Sequence, residues 1–387
     1  MKACMLAYTF YDADNRVRRY AEALVKRGDQ VDAIALARKG QPAFEVLNGV
    51  RVYRIQQRVI DESGPVSYLL KLLLFFFRSA WFLTRKHLRE PYALIHVHSI
   101  PDFEVFAALI PKLMGAKVIL DLHDIVPEYY GSKFRIGTGS LVFRLLVLLE
   151  KISCGYSDHV IISNHLWHEK IVKRSVRAEK CTTMINYPDP SIFWPRPAQA
   201  RLNDEFLICY PGSFGWHQGL DLAIQAVEIL RDKAPNLKLL IVGDGSDRER
   251  LKKMVVDLHL EDRVTIEGFV PMEQVAEIMS SIDLGIVPKR ADSFGNEAFS
   301  TKIMEFMCMG VPVVAARTRV DQYYFTENLL MFFEPGRAED LAAKILFLMQ
   351  NPASCAALRQ GSAEFIALNN WDVRKQEYLG LVDRLIA

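Results

Sequence analysis

Short apolar runs alternate with longer amphipathic stretches along this chain. Residues 2–8, 30–37, 94–98, 117–122 and 158–163 are near-continuous apolar segments of strand length, the pattern of strands covered on both faces. Between them, 16–27, 103–113 and 142–153 space their apolar positions as helices do, and Gly28 closes the first of these. The series restarts with a strand at 206–210, a helix at 220–230 and further strands at 237–242, 263–269 and 283–288; after Pro335 the chain turns helical. Alternating strand and helix in two series predicts an α/β fold of two doubly wound, Rossmann-like domains facing across a cleft, with ligands at the carboxyl ends of the strands. The passage 180–195 holds several prolines and reads as a hinge. The boundary is expected near 197, giving domains 1–197 and 198–370.

At 387 residues each half has room for its own core. A net charge of +2 gives no case for nucleic-acid binding. Cys4, Cys154, Cys181, Cys209, Cys308 and Cys355 form no CxxC pair, so neither zinc nor a disulfide framework is suggested, and a reducing cytoplasm fits. The N-terminus enters a strand directly, without the features of a signal peptide. No run reaches the roughly 18 uncharged apolar residues of a spanning helix. The nearest, 66–89, is interrupted by Lys71 and Arg78. These two and Arg85 recur every seven residues among Leu, Phe and Trp, which suits a helix lying in the interface of an inner-membrane surface. A core helix with a basic stripe toward water has the same pattern.

The richest chemistry lies at 292–315. Glu297 and Glu305 flank Phe299, Ser300, Thr301 and Lys302, followed by Gly310 and an apolar run. This reads as loop, helix, turn and strand, with Ser300 or Thr301 as N-cap. A helix N-terminus with a lysine beside it is an anion site, where a diphosphate can dock on Ser300 and Thr301. Glu305 is then placed for the two hydroxyls of a ribose and Glu297 for hydroxyls beyond the phosphates. A capped helix with two solvated acids has the same spacing. A second candidate phosphate loop follows the strand at 206–210, with Gly212, Ser213, Gln218 and Gly219 at a helix entrance. In the first half His123 and Asp124 close the strand 117–122, with Pro127 and Glu128 beyond. Arg16 opens the first helix and is a possible phosphate contact or a surface arginine.

The segment E-A-F-S-T-K-x-x-E-F-M-x-x-G-V-P-V-V resembles the E-x7-E signature of the family 4, group 1 retaining glycosyltransferases. H-x-H-S-x-P-D-F with D-L-H-D-I-V-P-E resembles the acceptor domain of the bacterial members. The connector 186–189 and the tail from Trp371 are similar to the family's linker and to its last helix, 371–387, which crosses back onto the first domain. The resemblance covers nearly the whole chain and implies the GT-B fold, with an acceptor-binding first domain and a donor-binding second. It assigns Glu297 to the donor sugar, Glu305 to the ribose, the backbone of Phe299, Ser300 and Thr301 to the diphosphate, the region of Gly268 to the base, and His123 to the anomeric carbon. Asp124, Glu128 and Arg16 remain candidates for the acceptor side. The chain departs from the family where it has Ser213 and Gln218 in place of an arginine and a lysine. Lys302, helped by His217 or Arg16, is expected to restore that charge.

The resemblance implies transfer of a sugar from a UDP- or GDP-linked donor to a lipid-linked saccharide acceptor, in exopolysaccharide or O-antigen synthesis, at the cytoplasmic membrane surface. Neither a cofactor nor a metal is expected; Asp12 and Asp14 form a DxD, which binds metal in a different transferase fold, but they lie in the wrong place for it. A nucleotide-sugar epimerase or phosphorylase of the same architecture, and a non-catalytic nucleotide-sugar binding protein, are the alternatives.

Overall fold

A computed structural model of the chain describes residues 1–58, 65–134, 136–196 and 204–387. The chain divides into two units, Met1–Asn186 with Lys375–Ala387, and Tyr187–Arg374. The boundary expected at 197 lies outside the described residues. The passage around Phe193 belongs to the second unit, where its carbonyl accepts from Cys308 Sγ.

In the first unit the strands are β1 (Lys2–Ala7), β2 (Gln30–Ala37), β3 (Phe44–Leu47), β4 (Val50–Gln57), β5 (Leu94–His98), β6 (Lys117–Leu122), β7 (His159–Ile162) and β8 (Cys181–Thr183). They form one sheet in the order β3-β4-β2-β1-β5-β6-β7-β8. All neighbours are parallel except β3 and β4, a hairpin turned at Asn48 and Gly49, both with positive φ. The order reverses between β1 and β5, and that switch point opens a crevice at the strands' carboxyl ends.

The segment 103–113, expected as one helix, is a 3-10 turn over Asp102–Ala108 followed by a short α-helix, Leu109–Leu113. Pro111 explains the break. It has no N–H for the carbonyl four residues earlier, but it fits the first turn of a new helix. Pro127 likewise sits in the first turn of a helix, Val126–Phe134, which takes in Glu128 and leaves Asp124 outside.

The apolar segment 66–89 is a helix, Pro65–Arg89. Leu72, Phe75, Ser79, Leu83 and His87 form its buried stripe, and Lys86 Nζ donates to Tyr53 Oη of β4 at 2.8 Å. By length and composition Ser67–Arg89 is long and apolar enough to cross a membrane. Its buried stripe packs along the unit, so it is a surface helix carrying an exposed apolar face: Leu70, Leu74, Phe77 and Trp81 are 61%, 45%, 65% and 62% accessible. Helix Leu141–Tyr156 has a second such stripe, Leu141, Leu145, Leu148 and Ile152. Both helices rest on Asp102–Ala108.

In the second unit β9 (Phe206–Ser213), β10 (Leu237–Asp244), β11 (Val264–Glu267), β12 (Leu284–Val287), β13 (Val313–Ala316) and β14 (Met331–Phe333) form an all-parallel sheet in the order β11-β10-β9-β12-β13-β14. The switch point lies between β9 and β12. Helix Leu220–Ile229 buries Ala223, Ile224 and Val227 beside Leu341, Ile345 and Leu348 of helix Ala338–Gln350. The larger of these side chains each contribute about 1.5–3 kcal/mol of hydrophobic stabilisation.

Candidate functional site

In the second unit β9 runs further than its apolar residues suggest. Gly212 and Ser213, expected in a loop, continue the strand in register with Gly243 and Asp244 of β10. Tyr210 Oη donates to Ser213 O at 3.0 Å. Beyond the strand Gly219 has φ +65°, and a Cβ there would lie 2.1 Å from Pro288 O after β12, so only glycine admits this approach of the two switch-point strands.

The helix Thr301–Cys308 begins at this point. Ser300 is its N-cap residue by backbone position, but its side chain makes no capping bond. The first-turn N–H groups are therefore left without a side-chain acceptor, in a helix end that favours anions. Lys302 turns its side chain toward β9. A Cβ on Gly212 would lie 3.1 Å from Lys302 Cε and 3.4 Å from Nζ, and Nζ lies 4.9 Å from the Tyr210 ring centroid. Among the described residues no hydrogen-bond acceptor or carboxylate is bonded to this ammonium. Burial pulls it down to about 8; Glu305 opposes the shift and Lys289 adds to it.

Lys289, two residues past β12, is a second cation here and is fully buried, whereas Lys302 is half-buried. It pairs with Asp321 at 2.8 Å, donates to Ala298 O at 2.7 Å, and is shifted down by burial against the pull of Asp321. Glu297 pairs with Arg319 at 3.1 Å. The Phe299 ring packs edge-on to Tyr324 at 4.9 Å, so this side chain holds the loop. Gln218 contacts His217 Nε2 at 3.0 Å, and burial lowers the basicity of His217. Gly268 follows β11, and a Cβ there would stand 3.6 Å from the Arg248 guanidinium. The structure thus brings Gly212, Ser213, Ser300, Thr301 and Lys302 to the same strand and helix ends. Gly268 is linked to them through Arg248, whose Nη1 donates to the carbonyl of Gly243, the register partner of Gly212.

In the first unit His123 follows β6 at the switch-point side. Its Nε2 lies 3.1 Å from His98 Nδ1 and 3.4 Å from Asp121 Oδ2. Arg16 does not reach out to a phosphate. It is buried, and its Nε and Nη2 each donate to Asp121 at 2.7 Å while Nη1 donates to Met184 O. That fork holds Asp121 far below the usual carboxylate range and Arg16 above its ordinary value, each against the cost of burial. Glu128 is taken up too. Arg174 grips it with bonds of 2.5 and 2.9 Å and also holds Glu150, tying three helices together. Asp124 remains beside the crevice; desolvation raises its carboxyl, with His123 and Arg16 opposing. Asp14 caps the helix Asn15–Lys26 and Asp12 pairs with Arg38, so the DxD serves local structure.

Asp121 and His98 stand inside the two quoted acceptor-domain motifs but were given no role there, and Lys289 and Arg248 were not singled out from the sequence. The first carried a signal, a lone carboxylate inside the apolar run of β6, because a buried charge needs a partner.

Two family profiles match this chain. Glycosyl transferase 4-like domain covers residues 13–186 and Glycosyl transferases group 1 covers 195–365. One human relative, a component of phosphatidylinositol N-acetylglucosaminyltransferase, is 24% identical over 340 residues, 86% of this chain and 65% of the relative. The amylovoran biosynthesis glycosyltransferase AmsK of Erwinia amylovora is 28% identical over 192 residues, 49% of this chain and 47% of the relative. The chain therefore spans less than two thirds of either relative's length. Among solved structures, sucrose-phosphate synthase from Thermosynechococcus elongatus superposes with a TM-score of 0.79 at 21% identity, over 100% of this chain and 99% of that one. Anabaena Alr3699/HepE in complex with UDP and glucose gives 0.75 at 17% identity, over 98% and 99%. With a profile on each half and two parallel sheets of the GT-B class, the chain belongs to the family 4, group 1 glycosyltransferases.

Proposed function

We propose that this protein transfers a glycosyl residue from a nucleotide-sugar to a hydroxyl of a lipid-linked saccharide, with retention of anomeric configuration and without a metal. The observation that carries the donor side is the Lys302 ammonium, set against Gly212 at an uncapped helix start beside the switch point. Two cations common in the family are absent at Ser213 and Gln218, and Lys302 supplies a charge where a diphosphate would need it. Helix N–H groups and the ammonium meet the charge that develops as the sugar–phosphate bond breaks. The acceptor oxygen bonds to the anomeric carbon on the face the phosphate leaves, and its proton passes to a departing phosphate oxygen. Glu305 is assigned to the ribose, Glu297 to the donor sugar, and His123 to the sugar from the first unit.

On the acceptor side, the exposed apolar stripes of helices Pro65–Arg89 and Leu141–Tyr156, with Lys71, Arg78 and Arg85 on the first, support docking on an anionic membrane that presents a lipid-linked acceptor. The relatives named for phosphatidylinositol and amylovoran suit such a substrate class.

Thermal stabilisation by UDP, GDP and ADP, in wild type and in Glu305→Ala, tests the donor site. One nucleotide raising the midpoint in wild type alone supports it and names the base. No response to any nucleotide favours the second reading, a non-catalytic protein, which the absent cations at Ser213 and Gln218 motivate. Product analysis with donor alone separates transfer from epimerisation.

A further inference from the structure

His98 Nδ1, His123 Nε2 and Asp121 Oδ2 form a triangle with sides of 3.1, 3.2 and 3.4 Å. Both ring nitrogens also face Asp121 Oδ2, but only the contact between the two nitrogens has hydrogen-bond geometry, so we take a proton on one of them to be directed at the other. If His123 donated it, the proton of neutral His98 would sit on Nε2, which is buried and has no partner among the described residues. Folded interiors avoid an N–H donor without an acceptor. If His98 donates, its proton lies on the nitrogen nearer to Asp121, and only a lone pair is left over.

The surroundings hold this arrangement. Arg16 keeps Asp121 ionised through two N–H bonds, so the carboxylate does not take the proton itself. His98 is buried and stacked on His96 at 4.2 Å, and His96 Nδ1 meets Tyr378 Oη at 3.0 Å, which fixes both rings. Burial keeps His96 and His98 uncharged. Ligand atoms of His96, His98 and Asp121 lie within 4.8 Å of one another, but a cation there would stand against the Arg16 guanidinium, so the cluster orders protons instead of holding a metal.

We infer that His98 and Asp121 are positioning residues that lock His123 into the tautomer protonated on Nδ1, so that this partly exposed ring offers its ligand an N–H donor and no basic nitrogen. The role at the sugar rests on the function proposed above; the tautomer does not. His123 would then donate to an oxygen of the donor sugar or of the departing phosphate, and would not act as a general base.

The test is long-range proton–nitrogen NMR of the full chain with 15N-labelled histidine, without ligand, with the His123 signals assigned by their loss in His123→Gln. The expected wild-type spectrum shows His123 protonated on Nδ1. In His98→Phe only Asp121 remains beside Nε2, so the proton should move to Nε2; His98→Gln, whose amide can donate, should restore the wild-type pattern. In turnover assays kcat should fall in His98→Phe with donor affinity retained, and recover in His98→Gln. A wild-type His123 protonated on Nε2 overturns the inference, as does a His98→Phe spectrum unchanged from wild type. The wild-type spectrum decides even where the variant does not fold. Because it is read without substrate, failure of the tautomer and failure of the transferase reading are separate results.

Discussion

Lys302 Nζ and Gly212 stand so close that a single methyl at 212 would lie 3.4 Å from the ammonium. This contact joins the helix start of the second unit to the end of β9 and puts a cation beside bare backbone. Lys302→Met keeps the volume and removes the charge. A lost charge-assisted hydrogen bond of about 1.5–3 kcal/mol predicts nucleoside-diphosphate affinity about ten- to a hundredfold weaker. Isothermal titration with the nucleotide that stabilises the wild type measures this, and an unchanged Kd would remove Lys302 from the site.

The same lysine sets a pH dependence with two opposite signs. Its free-state value of about 8 lies below its ordinary 10.5, so between these values the unfolded chain binds more protons than the folded one. Without ligand, stability should therefore rise with pH across that window relative to Lys302→Met, by up to about 3 kcal/mol at 1.36 kcal/mol per unit. A bound diphosphate favours the charged ammonium. Nucleotide affinity should be flat below pH 8 and fall above it, with proton uptake on binding. Paired melting curves and titrations at pH 7 and 9.5 read both signs. A wild type and variant that respond alike to pH would contradict the desolvation of this half-buried ammonium.

Much of this arrangement was legible in the sequence, because strand and helix periodicities are local and the start of the helix at Thr301 shows in S-T-K. The alternation of apolar runs gives the strands on both sides of each switch point, and Gly219 marks the helix entrance. What was not legible depends on contacts between distant residues. Arg16 looks like an exposed helix-start cation until the sheet brings β6 beside it and Asp121 claims it, 105 residues away in sequence. Glu128 is claimed in the same way by Arg174. The hairpin of β3 and β4 has a local signal, Asn48-Gly49 between the runs Phe44–Leu47 and Val50–Gln57, that the reading of the sequence passed over.

The Arg16–Asp121 pair is buried on both sides, with side-chain exposures of 3% and 0%. Removing one partner leaves the other charged and dry. Asp121→Asn should destabilise the protein by about 3–5 kcal/mol, whereas the double replacement Arg16→Met with Asp121→Leu should recover most of the loss, since an apolar pair of similar volume carries no desolvation cost. Urea unfolding of the single and double variants measures both. A single variant within about 0.5 kcal/mol of wild type, the range of ordinary surface positions, would show that the pair does not hold β6 to the first helix.

The last prediction concerns the exposed face of helix Pro65–Arg89. Phe77 and Trp81 are one turn apart and more than 60% accessible, so replacing both by serine removes no core contact and should leave stability within about 0.5 kcal/mol. If the face enters a lipid interface, each ring buries about 150–250 Å² there. At 25 cal/mol per Å² that is about 4 kcal/mol or more per ring at full burial. The double variant should then lose co-sedimentation with vesicles of mixed zwitterionic and anionic phospholipid that retain the wild type. Lys71, Arg78 and Arg85 add about 1 kcal/mol each near an anionic surface, so wild-type binding should weaken as salt rises and on vesicles without anionic lipid. Binding that ignores both salt and anionic lipid would separate the basic stripe from the apolar one. A wild type that stays in the supernatant at low salt would leave this helix a surface element of the first unit and take the membrane out of the proposed acceptor side.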